Sequence, residues 1–285
     1  MKDNRNTTVL RIIIFLVITF LPAYIFQIYT TQALRLKSYT GTITIMLYPT
    51  IASIITQLIT RQKERDNFLH INLKGNGRYY IFSLSVPVIF GIIGGIIFVL
   101  LFIKNYSISS AIEFNGGGLT VTATILFSLM LCFPQFFMGF GEEFGWRGYL
   151  TPELEKLVPE PVAVIITGIV WGLWHAPLVA KGYDWGTAYP PFVRIIMMCI
   201  SCVLMSFILT WLTKKTASVY PASLFHIVLD VMMSPISAVI IGDSTTTENH
   251  AFAYGVIFMI ILPLITLVFC WLTGKNSICV SNQKG

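Results

Sequence analysis

Two adjacent carboxylates, Glu142 and Glu143, stand just ahead of Arg147; His175 follows Trp171 by one helical turn, and Asp230 follows His226 by the same step. Carboxylates and imidazoles are the usual side-chain acids and bases of hydrolysis. A hydrolytic reaction needs a water made nucleophilic, donors for the developing negative charge and a proton for the leaving group. This set holds groups for all three. The runs around these residues are apolar, and an ionisable side chain inside a membrane helix costs about 2.5–3.5 kcal/mol on insertion scales, so its presence points to function.

Helical spacing separates the roles. Glu143 and Arg147 share a face at i and i+4, with the acid N-terminal to the base as such pairs prefer. Glu142 lies about 100° further round the axis and points elsewhere, so one carboxylate is structural and its neighbour free. His226 and Asp230 also share a face, where the aspartate accepts from the imidazole or stands beside it toward the same cavity. The midpoint between Glu142 and His175 falls at Val158 and Pro159, within a turn region rich in Glu, Lys and Pro. If both arms are helical, the carboxylate and the imidazole lie equally far from that turn. Counting from Lys214 and Lys215 at 1.5 Å per residue puts His226 about 16 Å in from the same side, so three helices bring the four polar residues toward one cavity.

The elements that must carry them are membrane helices. Of 285 residues 55% are apolar and 11% charged, with a mean hydropathy of +0.75, whereas a soluble domain carries about 25% charged residues. A span takes about 20 apolar residues. Apolar runs near 10–30, 40–60, 81–103, 119–140, 161–180, 193–213, 218–241 and 252–273 predict an all-α polytopic transmembrane bundle of about eight spans with the cavity inside it. Residues 81–103 are apolar on every side, unlike the alternating strands of a barrel. The first run is long for a signal sequence and without a small-residue cleavage site, which predicts a retained helix. With no internal repeat and no soluble appendage, residues 1–285 read as a single membrane domain. Placing the N-terminus inside puts 14 of the Lys and Arg on the inner side and 5 outside, which by the positive-inside rule predicts cytoplasmic termini. The same asymmetry explains the net charge of +6 without a nucleic-acid partner. The basic stretch from Arg61 to Tyr80 is expected on the anionic inner leaflet.

The three motifs, Glu-Glu-x-x-x-Arg, Trp-x-x-x-His and His-x-x-x-Asp, carried in this order on three membrane helices, resemble those of the CAAX-protease and bacteriocin-processing (CPBP, or Abi) family of intramembrane glutamic endopeptidases. The resemblance covers about residues 120–240, which it marks as a catalytic core; the first three spans match only in being membrane helices. Trp171 stands where phenylalanine is usual and Asp230 where asparagine is common. The resemblance implies an endopeptidase acting on membrane-associated or lipidated, CaaX-type peptides, with Glu142 and His175 activating water. His226 and Asp230 would stabilise the oxyanion and orient the site, Glu143 and Arg147 would fix the helix, and Trp171 and Trp174 would wall the cavity. It implies no cofactor. The expected partners are a membrane-associated peptide or protein substrate and the lipid bilayer, and the expected location is a bacterial cell membrane.

Other readings stay open. Glu142, His175 and His226 are also a three-ligand zinc set, although no His-Glu-x-x-His helix is present. A membrane scaffold or bacteriocin-immunity protein could keep the motifs without turnover. Among the remaining candidates, Cys199 and Cys202 form a CxxC inside a helix and read as packing, since buried cysteine behaves as a small hydrophobe. His70 and His250 read as solvated surface residues. Gly116-Gly117-Gly118 reads as a helix entry or hinge, for it lacks the Lys-Ser/Thr of a phosphate loop.

Overall fold

The computed structural model describes residues 4–33, 39–62, 67–102, 135–183, 185–239, 253 and 255–272. The helix α1 (Arg5–Ala33) shows why this chain suits a bilayer. Its exposed stripe is Ile13, Val17, Leu21, Ile25 and Ile28, while its buried stripe includes Thr8, Arg11, Thr19 and Gln27. A surface helix in water shows the opposite arrangement. The stripe continues round the molecule: α3 (Gly77–Phe102) exposes Ile89, Ile92, Ile93 and Ile96. Apolar patches of this extent mark a surface that meets lipid.

The helix α2 (Tyr39–Ile59) packs on α1. Residues 135–145 are helical and run without a break into a π-helical turn, Trp146–Leu150, and a short helix, Thr151–Glu155; together these form α4. After the turn come α5 (Glu160–Trp174), the single turn α6 (Ala176–Val179), α7 (Pro191–Thr216) and α8 (Tyr220–Val239). A π-helical turn, Ile257–Ile261, leads into α9 (Leu262–Leu272). There is no strand among the described residues, only a single antiparallel bridge between Leu69 and Ser218. The molecule is thus a helical membrane bundle, in which stretches of α1 (Arg5–Tyr29), α3 (Gly77–Ile97) and α7 (Pro191–Thr216) are long and apolar enough to cross a bilayer; shorter apolar helices accompany them. The expected span at 119–140 falls largely outside the described residues, as do Gly116-Gly117-Gly118, Cys132, His250 and Cys279.

One expected span is interrupted. Residues 161–180 were expected as one helix, but α5 stops at Trp174, and His175 is a turn residue before α6. Pro177 accounts for the break, because it offers no N–H to the carbonyl four residues before it.

Two glycines make a close contact between α5 and α7. A Cβ on Gly168 would fall 2.5 Å from Val203 Cα, and one on Gly172 2.5 Å from Cys199 Cα. Small residues four apart let membrane helices approach backbone to backbone, so α5 lies flush on α7. The CxxC belongs to this contact: Cys202 is buried, Cys199 is half-buried, and both are free thiols.

At one end of the bundle the connections tie the helices together. Lys214 on α7 reaches Glu155 at 2.7 Å and Glu160 at 2.9 Å, spanning the turn between α4 and α5. The segment 67–76 crosses the same end: Val219 N–H donates to Phe68 O at 2.9 Å and Asn72 Nδ2 donates to Thr216 O at 3.2 Å. Just before it, Gln62 Nε2 donates to Glu153 Oε1 at 2.9 Å. His70 is exposed on this strap.

Candidate active site

Helix α4 brings in the two carboxylates and is itself held by α2. Thr50 Oγ1 donates to Gly141 O at 2.6 Å, and a Cβ on Gly145 would collide with Pro49. The carboxylates are therefore presented from a helix whose backbone touches its neighbour. Glu142 is 2% exposed and Glu143 fully buried.

Their partners differ, as the spacing predicts. Arg147 Nη1 donates to Glu143 Oε1 at 2.9 Å, forming a fully buried ion pair. Arg147 Nη2 donates to Ser206 Oγ on α7 at 2.8 Å, and the guanidinium lies 4.4 Å from the Trp171 ring centre. Glu143 does more than fix its own helix. His226 Nδ1 donates to the same Oε1 at 2.9 Å, so one carboxylate oxygen links α4 to α8. Asp230 Oδ2 stands 3.6 Å from His226 Nε2, beyond hydrogen-bond length, with its side chain 43% exposed. It occupies the rim of the cluster while the two glutamates lie at the bottom.

Glu142 is not the bare carboxylate expected. Its Oε2 accepts from Trp171 Nε1 at 2.7 Å and from Trp146 Nε1 at 3.3 Å. Trp171 was expected as an aromatic wall, and its indole N–H is also a donor to Glu142. Its backbone carbonyl meets His175 Nδ1 at 2.9 Å; a carbonyl can only accept, so Nδ1 carries the proton and Nε2 presents a lone pair. One residue thus holds both Glu142, through its indole, and His175, through its main chain. Its ring also stands edge-on to His226, with centres 5.2 Å apart. Trp174 packs edge-on to His175 at 4.8 Å and Trp146 to Trp174 at 6.1 Å.

All seven residues of the three motifs therefore belong to one connected cluster on α4, the end of α5, and α8. Trp146 and Ser206 join it without any motif to announce them: an indole four residues from Glu142 on the same helix is a weak spacing signal, and the contact from α7 has none. Among the described residues, no three His, Cys, Asp or Glu side chains are grouped to hold a metal ion.

Comparison with known proteins meets this cluster directly. Residues 121–232 match the family described as type II CAAX prenyl endopeptidase Rce1-like. A CAAX prenyl protease 2 of Methanococcus maripaludis is 26% identical over 267 residues, covering 87% of this chain and 90% of its own. The matched segment contains every residue from Glu142 to Asp230 that the three motifs contribute. The motifs lie in one cluster and both likenesses fall on them, which supports the resemblance of this chain to the CPBP, or CAAX-protease, family.

Proposed function

We propose that this protein is an intramembrane endopeptidase that cleaves membrane-associated or lipidated, CaaX-type peptides with a water activated by Glu142. The observation that carries the reading is the pair of indole donors on a buried carboxylate. Both fall on Oε2, so Oε1 is the oxygen left to take a proton from water. Fixed dipoles of this kind cost no reorganisation during the reaction. Trp171 holds His175 with its Nε2 lone pair available as the second proton acceptor, for a water shared between the two groups. His226, anchored on Glu143, supplies the electrostatic support for the oxyanion, with Asp230 orienting it. The family match and the Methanococcus relative favour a prenylated substrate end over an unmodified one. Residues 120–240 form the catalytic core of a single membrane domain, set in a bacterial cell membrane with both termini cytoplasmic.

The test is hydrolysis of a farnesylated CaaX peptide by purified protein in lipid nanodiscs. Wild type should cleave it, and Glu142→Gln should elute as wild type does while losing at least about 100-fold in kcat, at the lower end of what a general base contributes. Equal rates for the two proteins would eliminate the glutamate base, and no cleavage by wild type would favour the scaffold or immunity reading. Chelation and zinc addition form the second arm. Activity that disappears on exhaustive chelation and returns with one zinc per chain would turn Glu142, His175 and His226 into ligands; the expected outcome is activity that chelation leaves unchanged.

A further inference from the structure

Each reacting group assigned above lies on α4, α8 or the end of α5, yet His175 stands at a break whose hydrogen bonds are completed from elsewhere. The His175 N–H bonds Gly172 O at 3.2 Å, one residue short of the helical partner, and Leu178 N–H bonds His175 O at 3.0 Å. Pro177 has no N–H for Leu173 O, and Leu178 N–H has turned away from Trp174 O. The carbonyls of Leu173 and Trp174, both just before the break, therefore lack their helical i+4 donors, and Leu173 O has from the main chain only the cap contact of the His175 N–H. Helix α1 answers both. Tyr24 OH donates to Leu173 O at 2.6 Å, and Gln27 Nε2 donates to Trp174 O at 3.1 Å. Lys181 Nζ, from beyond α6, returns to α1 by donating to Gln27 O at 3.2 Å and Ile28 O at 3.1 Å. Tyr24 and Gln27 are three residues apart on one helical face, and Gln27 is fully buried.

We propose that Tyr24 and Gln27 are positioning residues for His175: by holding the carbonyls of Leu173 and Trp174, α1 fixes where the imidazole stands relative to Glu142. The inference rests on the role given to His175 above. It gives the first helix, which carries none of the three motifs, a part in the reaction.

The test uses Tyr24→Phe, which loses only a hydroxyl, and Gln27→Met, which keeps the length of the side chain and loses the donor. Two readouts are taken on protein that elutes as wild type does. In 15N-histidine-labelled protein the His175 signal, assigned by its loss in His175→Gln, should show the proton on Nδ1 in wild type and a mixture of tautomers in each variant, with the His226 signal unmoved. In the hydrolysis assay kcat should fall about 10- to 100-fold, the scale of a small misplacement of a catalytic group, with KM kept within about twofold. A folded variant with an unchanged His175 signal, or with unchanged kcat beside an active wild type, would overturn the proposal. A wild type that cleaves nothing would sink the endopeptidase reading instead, and the tautomer signal would still decide whether α1 positions His175.

Discussion

Glu143 is the residue whose removal the cluster should tolerate least. It neutralises a fully buried guanidinium and anchors His226 through the same oxygen, so Glu143→Ala leaves a buried charge without its counter-ion. Breaking such a pair costs about 3–5 kcal/mol. The expected outcome is a steep loss of monomeric protein on size exclusion. Replacing both partners with apolar groups is far less costly than removing one, so Glu143→Ala combined with Arg147→Met should recover yield over the single change, though not activity. A double variant that folds as poorly as the single one would mean that the ion pair is not what holds the region. This pair was legible in the sequence because both partners sit on one helix, where a separation of four fixes the geometry. Ser206 and Trp171 were not legible as partners of Arg147 and Glu142, because their contacts depend on how α5 and α7 are placed against α4. Spacing within one helix carries no such information.

The elements were readable by hydropathy and less so by shape. Apolar runs located the helices, and the starts of α5 and α7 follow from Pro161 and Pro191 in their first turns, where proline's fixed backbone suits a helix start. Runs do not report the π-helical turn at Trp146–Leu150, whose Trp146 carbonyl accepts from both the N–H and the hydroxyl of Thr151, the latter at 2.9 Å. Nor did hydropathy show the stop at Trp174, although Pro177 is in plain view, since where a proline interrupts a membrane helix depends on the geometry around it. The contact between α5 and α7 is where an element can be tested by itself. Gly168→Val places branched carbons against Val203 and should destabilise by about 1–3 kcal/mol through overpacking, seen as a lower melting temperature in detergent. Ile169→Val, on the exposed face of α5, should stay within about 0.5 kcal/mol, as surface changes do. Equal effects of the two would mean that α5 does not lie flush on α7.

For the whole molecule, the charge asymmetry that predicts orientation can be compared with the ends of the bundle. Lys156, Lys214 and the segment 67–76 gather at the end that carries the turn between α4 and α5, whereas Lys181 lies beyond the opposite end of α5. Reporters fused after Arg65 and Lys215 should therefore read as cytoplasmic, and those after Lys104 and Lys181 as external; the reverse pattern would overturn the orientation. Span number was the least legible feature at this scale, since hydropathy measures length of run and the bundle mixes long helices with short ones. The aliphatic stripes on α1 and α3 have a further consequence. A body clad in hydrocarbon shares a two-dimensional solvent with any substrate anchored in the same bilayer, so the two meet by searching a plane. What governs their encounter is then the number of substrate molecules per unit of membrane area, and adding empty lipid at constant bulk concentration would slow the reaction by dilution within the sheet.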